Sequence, residues 1–299
     1  MRILMTGAAG MLGSSLYPWF KKAGHTVKAT DLAPRDRWQS PLDVRDYGAM
    51  RRAITQFKPQ MVFHLAAETD VDRCEREPDH AFMTNALGTQ NVALFCGARD
   101  LPMVYISTAG VFDGKKETCY TEFDEPRPVI VYGASKLAGE HLVRAHTRRF
   151  YIIRAGWMVG GGQKDHKFIG KIIAQIRAGK KQLHCVTDKL GTPTYTEDFA
   201  RTLEGLVATP FYGLYHMACE GGGTRYDVAA EILRFLGRED IKLVAVTSEF
   251  WKEQYPAPRP RSEMMENLML RLRGLNRMRH WRVALHEYLQ RHFASEKRR

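Results

Sequence analysis

The residues best suited to chemistry are a tyrosine and a lysine, Tyr132 and Lys136. Side chains four positions apart project from one face of an α-helix, so a helix here would bring a phenol and an ammonium together. An unperturbed phenol has a pKa of about 10, and a neighbouring cation lowers it. The spacing alone is not decisive, because Tyr17 and Lys21 share it. Position separates the two pairs, since Tyr132 lies downstream of a strand end that carries hydroxyl groups, whereas Tyr17 lies on the first helix.

Those hydroxyl groups end the run Val104-Tyr-Ile-Ser-Thr108, which predicts a strand. In a doubly wound sheet, ligands bind in the crevice at the carboxyl ends of the strands. We therefore expect Ser107 and Thr108 to face a ligand.

The elements that must position these groups begin at the N-terminus. Three apolar residues at 3–5 predict a buried parallel strand, and three glycines then form a turn that opens an amphipathic helix. The first glycine allows the sharp turn, the second lets the backbone approach a diphosphate, and the third lets the helix pack on the strand. Free N–H groups at the helix start then face the phosphates. The predicted dinucleotide contacts here are Gly7, Gly10, Met11, Leu12 and Gly13.

An acidic residue, Asp31, ends the second predicted strand 18 residues after the third glycine. A carboxylate at about this distance binds the adenosine ribose 2′-hydroxyl, which favours NAD. Arg35 and Arg37 follow closely and could hold a 2′-phosphate, so NADP stays open. Asp43 and Val44 are either contacts to the adenine edge or, for the aspartate, a cap of the helix predicted at 47–57.

A third strand at 61–65 ends in Leu65, Ala66 and Ala67, small residues that let the backbone approach a cofactor. A helix from about 81 to 98 follows and carries Asn85 on its polar side. The repeated alternation of strand and helix predicts an α/β protein with a Rossmann-type, doubly wound parallel sheet.

Together these motifs resemble the extended short-chain dehydrogenase/reductase family. Within it, four segments resemble the dTDP-4-dehydrorhamnose reductase branch, and an Arg-Pro element before the C-terminal helix does so too. These segments are Thr69-Asp-Val-Asp-Arg-Cys-Glu75, Val111-Phe-Asp-Gly114, Tyr132-Gly-Ala-Ser-Lys-Leu-Ala-Gly-Glu140 and Gly191-Thr-Pro-Thr194, with Arg259-Pro260 as the last element. The resemblance runs nearly end to end, and it places Thr69 and Asn85 beside the cofactor.

The resemblance implies hydride transfer from NADH or NADPH to a sugar carbonyl. Tyr132 would protonate the developing alkoxide as the general acid, and Lys136 would lower the phenol pKa and hold the nicotinamide ribose. Thr108 would donate a hydrogen bond to the carbonyl oxygen. Asn85 would support a water path or the strand geometry, or simply satisfy buried backbone groups.

One departure concerns Ala109 and Gly110, which stand where reductases of this branch carry an acid and an aromatic residue facing the sugar. The change removes a hydrogen-bonding partner and widens the pocket. Nucleotide-sugar dehydratases need an Asp-Glu pair there, whereas epimerases often have small residues.

The second half of the chain is expected to bind the substrate. We predict a dinucleotide-binding domain over 1–155 and an interleaved, smaller substrate region over 156–299, with about 193–220 returning to the main sheet. Trp157 follows a strand at the position where the branch places an aromatic against the sugar, although core packing explains it equally well. Arg259 and Arg261 lie in a Pro-rich loop and form either an arginine fork for the substrate diphosphate or part of a solvated linker.

Composition narrows the protein class. The net charge of +12 raises nucleic-acid binding as a hypothesis, but residues 271–299 alone carry nine Lys or Arg against two acids, which favours a solvated basic terminus. The five cysteines are scattered singly, so reduced thiols are expected and a metal site is not. The first strand starts at Met1 and no apolar run reaches membrane length, so a cytoplasmic protein without a membrane partner is expected.

The sequence therefore predicts an NAD(P)H-dependent reductase of the 4-keto group of a nucleotide-linked 6-deoxy sugar. One alternative is a nucleotide-sugar epimerase with tightly bound NAD. Another is a non-catalytic NAD(P)-binding regulatory subunit resembling the methionine adenosyltransferase β-subunit. The sugar, the nucleotide and the oligomeric state stay open, a homodimer included.

Overall fold

The structure, a computed structural model, describes residues 1–297 apart from the side chain of Lys164. A seven-stranded parallel sheet forms its centre. The strands of the whole chain are β1 Arg2–Thr6, β2 Thr26–Asp31, β3 Gln39–Pro41, β4 Met61–His64, β5 Met103–Thr108, β6 Phe150–Ala155, β7 Trp157–Val159, β8 Gln182–Val186, β9 Leu190–Gly191, β10 Pro193–Tyr195, β11 Gly213–Met217, β12 Gly223–Thr224, β13 Lys242–Val246 and β14 Ser262–Glu263.

The α-helices are α1 Met11–Lys22, α2 Tyr47–Phe57, α3 Val71–Arg76, α4 Pro78–Phe82, α5 Gly88–Ala98, α6 Val131–His146, α7 Phe168–Arg177, α8 Thr196–Val207, α9 Arg225–Leu236, α10 Leu268–Leu272 and α11 Trp281–Phe293. The central sheet has the order β11-β6-β5-β4-β1-β2-β3. The strand order reverses between β1 and β4, and such a switch point opens a crevice at the carboxyl ends of the strands. The predicted Rossmann-type architecture is confirmed.

Alternate residues of each central strand pack on opposite faces of the sheet, as the two-residue period of a strand requires. Ile3 and Met5 of β1 join one core together with α1 and α8, whereas Leu4 joins a second core with α2, α5 and α6. Both faces of the sheet are therefore covered, which is why the strand sequences are apolar on both sides.

The later chain adds three small sheets around the carboxyl edge of the main one. Strands β7 and β10 pair, β8 and β13 pair, and β9 lies between β12 and β14. Strand β11 joins the main sheet next to β6, in parallel register. The proposed domain division at 155 and 156 stays a prediction.

Several local expectations were wrong. The loop expected before α2 contains the edge strand β3, and the Asp that caps α2 is Asp46, whose side chain accepts the N–H of Ala49 at 2.9 Å. The single helix expected over 81–98 is interrupted by a π-helical turn at Met83–Leu87. Strand β13 was not predicted from the sequence. Short pieces of this kind leave too few residues for a periodic pattern to develop.

The basic C-terminal segment is largely paired within the fold. Arg279 binds Asp198 at 2.7 Å and Glu287 at 2.7 Å, and Arg291 binds Glu197 at 3.0 Å. Within residues 1–297, no helix has both the length and the apolar character needed to cross a membrane.

Candidate active site

A large cleft of about 1770 Å³ runs along the carboxyl ends of the central strands. Most of the residues named from the sequence as cofactor, substrate or catalytic candidates line it. They are Gly7, Gly10, Met11, Leu12, Gly13, Asp31, Asp43, Val44, Leu65, Ala66, Ala67, Thr69, Thr108, Tyr132, Trp157 and Arg259. Lys136, Asn85 and Arg261 are not among the lining residues.

The glycine turn forms one end of the cleft. Gly7 has φ +70°, and a Cβ there would lie 2.5 Å from the backbone nitrogen of Ala66, so only glycine fits between β1 and the end of β4. A Cβ on Gly13 would lie 2.6 Å from Cα of Ala8, which explains the close packing of α1 on the turn. Helix α1 begins after Gly10 with no side-chain cap, so its first N–H groups have no side-chain acceptor. This turn fits a diphosphate, as the sequence predicted.

The carboxylate at the end of β2 is fixed beside this turn. Asp31 accepts the N–H of Ala9 at 2.9 Å and that of Ala33 at 3.0 Å. Arg35 lines the same region of the cleft, whereas Arg37 is exposed and does not.

Asp43 also faces the cleft, but its charge is already compensated. The Arg45 side chain donates three hydrogen bonds to it, at 2.8, 3.0 and 3.1 Å, and these bonds lower the pKa of the Asp43 carboxyl. Val44 is buried beside it. Since Asp46 caps α2, the capping alternative considered for Asp43 is wrong.

The proposed proton donor lies at the opposite wall of the cleft, near the end of β5. Thr108 and Tyr132 both line this wall. Thr108 Oγ1 accepts the N–H of Gly110 at 3.1 Å. Burial raises the pKa of Tyr132 well above its usual value, and the interaction with the Thr108 side chain acts in the opposite direction. The expected lowering by Lys136 is therefore not observed, because desolvation of the phenolate is the larger effect.

Lys136 is almost fully buried one turn further along α6. Its ammonium lies 4.1 Å from the centre of the Tyr105 ring. Burial lowers the pKa of Lys136 to about 7, and the carboxylate of Glu140 on the next turn acts against this change.

Glu140 in turn belongs to a buried ion pair. Its carboxylate accepts hydrogen bonds from Arg154 at 2.9 and 2.8 Å and from the Ser107 hydroxyl at 2.6 Å. The side chains of Glu140 and Arg154 are each 2% exposed. This network ties β5, β6 and α6 together directly behind the reactive hydroxyls.

Asn85 lies in the π-helical turn, is fully buried and does not reach the cleft. Its amide accepts the N–H of Glu68 at 2.8 Å and donates to the Glu68 carbonyl at 3.1 Å and to Ser135 at 3.0 Å. Of the roles considered for it, satisfaction of buried backbone groups fits this geometry, because it fixes the segment after β4 against α6.

The substrate end of the cleft is built around Trp157. Its indole N–H donates to Glu263 Oε2 at 2.8 Å, and the guanidinium of Arg225 lies 3.8 Å from the centre of its ring. Burial raises the pKa of Glu263 and lowers that of Arg225 to about 10, while the attraction between the two opposes both shifts. A Cβ on Gly191 would overlap the Trp157 ring, so β9 supports the indole from behind.

The two arginines of the Pro-rich loop behave differently. Arg259 lines the cleft, where it binds Asp72 at 2.8 Å and the carbonyl of Ala257 at 3.0 Å. Arg261 is exposed outside the cleft, and its carbonyl accepts the N–H of Leu190. The two side chains therefore do not form the fork that the sequence suggested. Arg225, which had not been predicted from the sequence, lines the same end of the cleft as Arg259.

Two cleft residues, Arg225 and Glu263, escaped the sequence analysis. Neither has a local signal, because Arg225 opens an ordinary helix and Glu263 is brought to Trp157 from 106 positions away. Glu140 had a weak signal, since it continues the face of α6 that carries Tyr132 and Lys136.

The parallel sheet, the glycine turn, Thr108 at the end of β5 and the Tyr132–Lys136 pair on α6 define a protein of the extended short-chain dehydrogenase/reductase type. More specifically, the chain belongs to the family described as the RmlD substrate binding domain, which matches residues 1–293.

Named relatives support this assignment. The chain is 34% identical, over 97% of both sequences, to the spore coat polysaccharide biosynthesis protein SpsK of Bacillus subtilis. It superposes on a crystal structure of a dTDP-4-dehydrorhamnose reductase from Clostridium acetobutylicum with a TM-score of 0.89 and 36% identity, covering 97% of this chain and 99% of that one. The same enzyme of Bacillus anthracis, in complex with NADP, gives a TM-score of 0.88 at 29% identity, covering 97% and 99% of the two chains.

Proposed function

We propose that this protein uses NADH or NADPH to reduce the 4-keto group of a nucleotide-linked 6-deoxy sugar, as the names of its dTDP-4-dehydrorhamnose reductase relatives suggest. The observation that carries the proposal is the placement of Thr108 and Tyr132 in the same cleft as the glycine turn. A cofactor whose diphosphate lies on the turn can thus extend its nicotinamide toward the two hydroxyls.

The chain's own groups account for the proton that the reduction requires. The raised pKa keeps the Tyr132 phenol protonated at neutral pH, as a general acid must be before it reacts. Thr108 Oγ1 already accepts a hydrogen bond from Gly110, so its own hydrogen can point to a carbonyl oxygen placed beside Tyr132. When bound, the reduced nicotinamide supplies hydride to the carbonyl carbon. The two hydroxyls then stabilise the negative charge that develops on the oxygen, and Tyr132 donates its proton to it.

Lys136 supports this step through its positive charge. Its ammonium is buried one helical turn along α6 from Tyr132, and Glu140 favours its charged form. A cation at this position stabilises the phenolate that Tyr132 becomes after proton donation. Asp31 and Arg35, at the other end of the cleft, would hold the adenosine ribose or its 2′-phosphate.

The nucleotide of the substrate would bind at the positive end of the cleft. Arg225 and Arg259 both line the cleft near Trp157, and a guanidinium suits a diphosphate. Trp157 lines this end of the cleft and would contact the sugar. A cytoplasmic location and a homodimer are further predictions, which cell fractionation and light scattering would test.

The decisive experiment compares Tyr132→Phe with Tyr17→Phe. The control removes the hydroxyl of the other Tyr–Lys pair, whose ring stacks on Trp38 at 3.9 Å and does not line the cleft. With dTDP-4-dehydrorhamnose and NADPH, we expect Tyr132→Phe to lower kcat by about 10²- to 10⁴-fold, with cofactor binding retained. Tyr17→Phe should be unchanged. Unaltered turnover in Tyr132→Phe would contradict the proposal.

Mass spectrometry of ligands retained by the purified protein separates the alternatives. An epimerase would hold NAD and show no net cofactor consumption. A regulatory subunit would co-purify with a partner enzyme and reduce none of the keto sugars.

A further inference from the structure

The Thr108 hydroxyl and a carboxylate from another segment, Glu263, lie close together where both line the cleft, next to the buried Gly110. A Cβ built on Gly110 would lie 3.4 Å from Thr108 Oγ1 and 3.5 Å from Glu263 Oε1. Both distances are ordinary contacts. The Thr108 hydroxyl and the Glu263 carboxylate therefore border one small region next to Gly110.

Glu263 is held in this position by contacts on its other side. Its Oε2 accepts the Trp157 indole N–H at 2.8 Å, and β14 is fixed to β9 by the pairing of Glu263 with Gly191. Within residues 1–297, Oε1 accepts no hydrogen bond. The positive charges of Arg225 and Arg259 act on the carboxylate and favour its ionised form. One oxygen is thus anchored, and the other is a free acceptor at the cleft.

The position of this free oxygen defines which part of a sugar it can recognise. If the reacting carbonyl oxygen lies at Thr108 and Tyr132, a group attached to the neighbouring ring carbon reaches the region in front of Gly110. In a 4-keto-6-deoxy hexose, C5 carries a methyl group and the ring oxygen, so the vicinal hydroxyl is on C3. A carboxylate accepts a hydrogen bond from a hydroxyl and gains nothing from a hydrogen atom or a methyl group.

We propose that Glu263 is a specificity-determining residue that accepts a hydrogen bond from the C3 hydroxyl of the keto sugar, beside Thr108. This inference rests on the proposed reductase function and extends it to a named contact. The chain supplies from β14 an acceptor that replaces the side chains absent at positions 109 and 110.

The experiment compares two forms of the protein on two substrates. Reduction of dTDP-4-dehydrorhamnose and of its 3-deoxy analogue by NADPH is measured for the unmodified protein and for Glu263→Ala. A hydrogen bond to a charged group contributes enough to change kcat/KM by about 10- to 100-fold. In Glu263→Ala, kcat/KM should fall by this factor with dTDP-4-dehydrorhamnose and by less than about threefold with its 3-deoxy analogue. The KM for NADPH should stay within about twofold, because the cofactor end of the cleft is untouched.

Two further variants separate recognition from folding. Glu263→Gln retains an acceptor for the Trp157 N–H, so it keeps the anchor and removes the charge. In Glu263→Gln, kcat/KM should again fall more with dTDP-4-dehydrorhamnose than with the 3-deoxy analogue, but the fall should be smaller than in Glu263→Ala. Glu266→Ala is the matched control, since Glu266 lies three residues further on, pairs with Arg271 and does not line the cleft. Its kinetics should be unchanged.

An equal loss on both sugars in Glu263→Ala would overturn the proposal and assign Glu263 a purely structural role. No loss on either sugar would overturn it too. If the proposed reductase function is wrong, the result is distinguishable from these two, because the unmodified protein would then reduce neither sugar. In that event, calorimetric binding of dTDP-rhamnose and its 3-deoxy analogue to the same variants tests the Glu263 contact without turnover, by the same comparison of losses.

Discussion

Replacing Glu140 by glutamine should destabilise the protein strongly, although it changes only one group. Glu140 accepts two hydrogen bonds from Arg154, at 2.9 and 2.8 Å, and one from Ser107 at 2.6 Å. A glutamine can still accept with its oxygen, but its NH₂ group then faces a guanidinium N–H, and two donors meet. The Arg154 charge, 2% exposed, is left without compensation.

Breaking a buried ion pair in this way costs about 3–5 kcal/mol. At an unfolding entropy of about 2.1 cal/mol/K per residue, that loss corresponds to a fall in Tm of roughly 5 to 8 °C. The assay is urea unfolding followed by far-UV circular dichroism, with thermal scans in parallel. The control is Glu125→Gln, because Glu125 binds Arg127 at 2.6 Å with both side chains mostly exposed. Its urea midpoint should not change, since exposed pairs contribute little.

The double variant Glu140→Gln with Arg154→Met removes the uncompensated charge as well. It should be more stable than Glu140→Gln alone, because methionine fills similar space next to Phe112 without a buried charge. Two results would refute the reasoning. One is a loss of unfolding free energy below about 1 kcal/mol in Glu140→Gln. The other is a double variant whose loss equals the sum of the losses in Glu140→Gln and Arg154→Met.

Three other outcomes follow from the site. Gly191→Ala should displace the Trp157 ring, because the added Cβ would overlap it. The KM for the sugar nucleotide should then rise about tenfold or more, whereas the KM for NADPH should not change. Steady-state kinetics with both substrates measure these two constants. Arg35→Ala should lower kcat/KM for NADPH and leave that for NADH unchanged, if Arg35 holds the 2′-phosphate; equal effects on both cofactors would exclude that role. Because the pKa of Lys136 is about 7, its ammonium is present below that pH and lost above it. Cofactor kcat/KM should therefore fall as pH rises through about 7, Lys136→Arg should remove the fall, and a pH-independent profile in the unmodified protein would contradict it.

Strong local signals account for what the sequence predicted well. The glycine turn requires glycine for steric reasons at Gly7, so its function could be inferred from the glycine spacing together with the strand before it and the helix after it. Helix α2 was predicted with its observed bounds, Tyr47–Phe57, because its apolar residues have a clear helical period. The other strands of the central sheet were also predicted, apart from β3, Gln39–Pro41, which is short and has no apolar run.

Tertiary structure decides the remainder. Glu263 reaches Trp157 across 106 positions, and Arg225 reaches the same indole from the start of α9, so no local pattern could pair them. Likewise, the pKa of Tyr132 depends on how deeply the fold buries the phenol, which spacing to Lys136 does not reveal. Neighbouring arginines at 259 and 261 suggested a fork, but the backbone turns one into the cleft and the other to solvent.

The stacking of Arg225 on Trp157 gives the protein an intrinsic optical probe. An indole between a guanidinium and a carboxylate changes its emission when either charge is screened, so a sugar nucleotide entering this end of the cleft should alter the fluorescence directly. The emission of tryptophan also overlaps the absorption of a reduced nicotinamide. Arrival of the two ligands could therefore be timed separately in a stopped-flow instrument, without any label.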